Sequence, residues 1–114
     1  MKSFVALLAV TGCLHIHAEP SPTFSWISKN IFQMRCATQC HQPTNPDGNV
    51  DFESYAALMS SDGLLEVPIR PGTPEKSGVW IQVSQHTMPK SGEKLADEEV
   101  QAIFDWIRDG AKEN

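Results

Sequence analysis

The chain has 114 residues, 40% of them hydrophobic, and a formal net charge of −5. That length holds one small domain, and that composition suits a globular protein rather than a disordered one. The acidic balance excludes a nucleic-acid binder, which needs a basic face. No stretch of 18 apolar residues excludes a multi-pass membrane protein, and size excludes a large multidomain enzyme.

In chain order, Lys2 precedes an apolar run over 4–10, extended by Leu14 and Ile16 and followed by Ala18-Glu19-Pro20. The pattern reads as a secretory signal peptide over residues 1–18, cut after Ala18. A second reading of the same stretch is that Val10-Thr11-Gly12-Cys13 resembles the bacterial lipoprotein box, which would make Cys13 a lipid anchor. Cleavage removes Lys2 and no carboxylate, so residues 19–114 carry a charge of −6. Residues 19–25 are polar and rich in proline, and they are expected to form a loosely held lead. Residues 26–114 form the domain.

Four short helices are expected. The first runs from Trp26 to about Gln39, with Ser25 as N-cap and Ile27, Ile31 and Met34 on its apolar face. The second runs from Phe52 to Ser60 behind Asp51, with Tyr55, Leu58 and Met59 inward. The stretch 64–72, broken by Pro68 and Pro71, is extended or looped. Thr73 followed by Pro74 marks the start of a third helix reaching about Val83. A loop over 84–94 then leads to the clearest element, Asp97 to Asp109. There Val100, Ile103, Phe104 and Ile107 share one face, carboxylates fill the first turn and Gly110 follows the end. No segment alternates with a period of two, so the class is all-α.

The segment Cys36-Ala37-Thr38-Gln39-Cys40-His41 carries the chemistry. Two cysteines followed at once by histidine match the haem-attachment signature of c-type cytochromes, usually C-x-x-C-H. Two thiols add across the two vinyl groups of one haem, and the next residue sets an imidazole under the iron. This segment has one residue more, C-x-x-x-C-H. On a regular helix its thiols lie on one face, about 6 Å apart along the axis, and meet two vinyls if the turn is locally reshaped. A Cys36–Cys40 disulfide, or a zinc site completed by His86, are the other readings of the six residues.

The order of the remaining segments resembles a class I c-type cytochrome domain of the small bacterial kind. The stretches that carry the resemblance are Asp51-Phe52-Glu53-Ser54-Tyr55-Ala56-Ala57-Leu58-Met59, Arg70-Pro71-Gly72-Thr73-Pro74, Met88-Pro89 and the last helix through Trp106 to Gly110-Ala111, spanning roughly 27–112. The resemblance implies a cytochrome c-like fold of about four helices around one covalent haem c. Cys36 and Cys40 would carry the thioethers, with His41 as proximal and Met88 as distal axial ligand. It also implies that the Ile31/Phe32 region crosses Phe104 and Trp106. His86 is the alternative distal ligand, which would lower the potential. Arg70, Lys76 and Ser77 are candidate partners of the haem propionates, and the carbonyl of Pro68 or a neighbour is expected to hold the His41 ring.

The implied function is that of an exported, periplasmic electron carrier and not an enzyme. The acidic charge implies redox partners with a basic docking patch and salt-weakened association. The alternatives are a haem enzyme or gas sensor with an open iron, and a non-haem disulfide module. An EF-hand-like stretch, Asn45-Pro46-Asp47-Gly48-Asn49-Val50-Asp51, is discounted. Pro43 and Ser54 stand where calcium needs Asp and a bidentate Glu.

Overall fold

The computed structural model describes residues 19–37, 40–41, 46–90 and 92–114. The signal segment, Cys13 and the Asn45 end of the calcium-like loop lie outside the described residues. Among the described residues there is no strand, and the architecture is an all-α, cytochrome c-like fold.

Helix α1, Phe24–Ile27, opens where the Thr23 hydroxyl accepts the Trp26 N–H at 3.3 Å. Thr23, not Ser25, is therefore the N-cap, and Phe24 and Ser25 belong to the helix rather than to a loose lead. These two helix residues are tied to the C-terminal residue: Ser25 N–H donates to the Asn114 carbonyl at 2.8 Å, and Phe24 N–H to the Asn114 side chain at 2.9 Å. From Ser28 to Ala37 the chain is wound as a π-helix. This wider winding changes which residues face inward. Ile27, Ile31 and Phe32 are buried, whereas Met34, expected on the apolar face, is 68% exposed.

Helix α2, Tyr55–Ser60, starts three residues later than Asp51 suggests. Ser54 is its cap, accepting the Ala57 N–H at 3.0 Å. The Asp51 carboxylate instead accepts the Glu53 N–H at 2.8 Å, closing a local turn ahead of the helix. Leu58 is buried, with Tyr55 and Met59 packed at the core margin.

The expected third helix is two pieces: a 3₁₀ turn, Pro74–Lys76, and helix α3, Gly78–Ser84. The break falls at Ser77, which is completely buried. Its hydroxyl accepts the Arg70 N–H at 2.8 Å and faces the Thr73 carbonyl at 3.0 Å. A polar side chain buried this deeply needs such partners. Gly78 and Val79 then donate to the Val67 and Pro68 carbonyls at 2.9 and 3.0 Å, which docks the start of α3 on the 64–72 loop.

Helix α4, Asp97–Arg108, buries Ala102, Ile103, Trp106 and Ile107. Glu99 closes its first turn by accepting the Ala96 N–H at 2.9 Å. Gly110, at φ 109°, ends it in a conformation that favours glycine. The tail turns back onto the domain: Trp106 donates to the Lys112 carbonyl and Tyr55 to that of Ala111, each at 2.8 Å. Phe32 meets Trp106 edge-on at 6.3 Å, so the first and last helices pack as the resemblance implies. Phe104 does not join them; it packs on Trp80 of α3 at 5.4 Å. No helix among the described residues is long and apolar enough to cross a membrane.

Candidate functional site

The backbone around Cys36, Cys40 and His41 is pinned from both sides. His41 N–H donates to the Cys36 carbonyl at 3.1 Å and Asp47 N–H to the Cys40 carbonyl at 2.8 Å. A longer contact, 3.4 Å, links Phe52 N–H to the His41 carbonyl. The His41 ring is held as firmly. Its Nδ1 lies 2.9 Å from the Val50 carbonyl oxygen, and the Phe52 ring stands edge-on to it at 5.2 Å. A carbonyl only accepts, so Nδ1 carries the proton and Nε2 keeps its lone pair. The bond fixes the ring's tautomer and orientation and leaves Nε2 chemically able to coordinate a metal. The Pro68 carbonyl does not serve this purpose: the ring nitrogen is taken by Val50, and Pro68 accepts the Val79 N–H.

Cys36, Cys40, His41 and Met88 all line one cavity of about 490 Å³. Its walls are mainly apolar, among them Phe32, Phe52, Pro68, Val79 and Val83. Size and lining suit a cofactor rather than a metal ion alone. Leu64 and Leu65 also line it, yet they stand 70% and 87% exposed, an apolar surface of the kind a porphyrin face covers. Met88 comes from the loop after α3. That loop is anchored on one acceptor, the Gln82 carbonyl, which takes the N–H groups of Thr87 at 3.0 Å and Met88 at 3.3 Å. The Thr87 hydroxyl donates to the same oxygen at 2.9 Å.

No disulfide joins Cys36 and Cys40. Burial pushes the Cys36 thiol up to about 12; the adjacent Arg35 cation pulls it down in part, and Cys40 adds to the rise. Cys36 therefore stays protonated at neutral pH, while Cys40 is exposed. A thiol in that state is a poor nucleophile for disulfide exchange. Among the described residues, which include Cys36, Cys40, His41 and His86, no three His, Cys, Asp or Glu side chains cluster as a metal site. The zinc reading loses its ligand set on that ground.

His86 is exposed and is not part of the cavity wall. Arg70, Lys76 and Ser77, the candidate propionate partners, do not line the cavity either. Ser77 is committed to the loop backbone, and Arg70 and Lys76 face solvent. The polar groups that do line it include Arg35, Gln82, Thr87 and Lys90. Arg35 was not singled out by the sequence, although it precedes Cys36. It joins the Ser28–Ala37 helix to α4 through Glu99, at 3.0 Å, and donates to the Glu93 carbonyl in the loop that follows Met88.

Fold and cavity together define the class: a helical domain with one mainly apolar cavity that carries two cysteines, an oriented imidazole and a methionine on its wall. A family model described as Planctomycete cytochrome C matches residues 37–92, just under half of the chain. The match begins one residue after Cys36 and includes Cys40, His41 and Met88. It supports a c-type cytochrome-like domain that binds haem. No curated protein and no solved structure matches the chain.

Proposed function

We propose that the chain is an exported, monohaem c-type cytochrome of the class I kind that carries single electrons between redox partners and is not itself an enzyme. The observation that supports it most is the meeting of Cys36, Cys40, His41 and Met88 on one cavity, with His41 Nδ1 committed to the Val50 carbonyl. In this reading Cys36 and Cys40 hold the haem covalently, His41 Nε2 is the proximal ligand and the Met88 sulfur the distal one. The haem would supply an iron that changes by one electron without bond making at the protein. The chain's own task is to exclude water with the apolar wall, fix the imidazole and hold the methionine loop against Gln82.

The signal segment 1–18 directs the protein to the periplasm, with attachment at Cys13 as the alternative ending of the same route. The acidic charge calls for partners with a basic patch, and association that slows as salt rises.

Two measurements test the reading. Redox titration of the purified holoprotein should show a one-electron couple that falls by on the order of 0.1 V in Met88→Ala and stays in place in His86→Ala. Loss of the couple in His86→Ala with none in Met88→Ala would overturn the distal assignment. Stopped-flow association with a basic redox protein should slow steeply between low and physiological ionic strength. A salt-independent rate would remove the docking proposal.

A further inference from the structure

The extra residue between the thiols has a structural counterpart. In C-x-x-C-H the histidine lies four residues after the first cysteine, the separation bridged by one α-helical N–H to carbonyl bond. Here His41 lies five residues after Cys36, and the same two backbone groups are still bonded, at 3.1 Å. That is the π pattern, which encloses one residue more per hydrogen-bonded turn. The ten residues before the loop, Ser28–Ala37, are already wound this way, so Cys36 enters the turn in π register.

The winding is supported by side chains. Asn30 donates to the Trp26 carbonyl at 2.8 Å, an acceptor that α winding would pair with the Asn30 backbone. Gln33 reaches across to the Phe52 and Glu53 carbonyls at 2.7 and 3.0 Å, tying the widened helix to the segment after His41. Burial of Ile27, Ile31 and Phe32 fixes the face. The other half of the motif is set independently, through the bonds of Cys40 to Asp47 and of His41 to Val50.

We propose that the π-wound turn is the device by which C-x-x-x-C-H serves as a two-thioether attachment site: it takes up the surplus residue, so that Cys36, Cys40 and His41 present to a single haem what the shorter motif presents. This rests on the haem reading above, which already gives both thiols to the haem, and goes beyond it in assigning the backbone winding that accommodates the extra residue. Each thiol adds its S–H across a vinyl C=C. One C–S bond forms, the vinyl π bond is lost, and the thiol hydrogen ends on the other vinyl carbon, with no net oxidation. The limit follows from the same geometry: one π turn absorbs one residue and not two.

The test is the spectrum in alkaline pyridine, with intact mass under denaturing conditions, of holoprotein exported from cells competent in cytochrome maturation. The wild type should show two saturated vinyls and one covalent haem. Cys36→Ala and Cys40→Ala should each keep one covalent haem with one vinyl restored. Deletion of Thr38, which restores C-x-x-C-H, should retain both thioethers, and an alanine inserted after Thr38 should retain only one. A wild type with a residual vinyl, or an insertion variant with two saturated vinyls, overturns the proposal and leaves haem binding standing. A wild type without haem overturns the haem reading and this proposal with it.

Discussion

Helix α4 and the helix that leads to the cysteines pack on each other, and they are built on different rules. Along α4 the buried residues Ala102, Ile103, Trp106 and Ile107 follow the α period, its first turn is acidic and its end is marked by Gly110. Along the first helix the buried positions are Ile27, Ile31 and Phe32, with Cys36 on the cavity wall, a wider repeat than 3.6. The first arrangement serves packing, with Ile103 reaching the cavity wall. The second holds a core face and a chemical face on one short segment, and the wider winding is what keeps both.

The comparison can be broken at its core first. Trp106→Ala removes the largest buried side chain along with its bond to Lys112 and should cost about 3–5 kcal/mol in denaturant unfolding. Phe32→Ala should cost a similar amount if the π register is right, because Phe32 is 1% exposed.

Thiol reactivity sharpens it next. In haem-free chain at pH 8, iodoacetamide should modify exposed Cys40 well before Cys36, since Cys36 is buried and its thiol is pushed up to about 12. Raising the pH toward 12 should close the gap. Equal labelling at pH 8 would contradict the buried position of Cys36.

The tie between the two helices is a smaller term. Arg35→Gln loses the ion pair with Glu99 and should cost about 1–2 kcal/mol, less at high salt, because both side chains are only partly exposed. Smallest of all, Met34→Ala should change stability by less than about 1 kcal/mol. An α-wound helix with Met34 on the apolar face would instead lose about 2–5 kcal/mol.

These contrasts also explain what could be read from residues alone. The all-α class, the α4 span and the cavity-lining quartet follow from local signals: a strong 3.6 period, a Cys-Cys-His run, and a methionine in a loop. A 3.6 period puts Met34 inward, but the winding there is π and leaves it exposed, and no local propensity marks that change. Asp51 and Ser25 carry side chains competent to cap, but the caps are Ser54 and Thr23, while Asp51 closes a turn on Glu53. The carbonyl that orients His41 could not be identified from side-chain identity, since every residue carries one; tertiary placement selects Val50 over Pro68. Phe104 turned to Trp80 for the same reason: adjacency on a helix does not say which neighbour each aromatic meets.

The central claim is that these cysteines and this histidine hold one haem. The most direct test is the denatured intact mass of the exported, purified protein. The account predicts the chain starting at Glu19 plus the mass of one haem, unaffected by acid-acetone extraction. A mass equal to the bare chain less two hydrogens, from cells that mature other c-type cytochromes, would show a Cys36–Cys40 disulfide instead and contradict it.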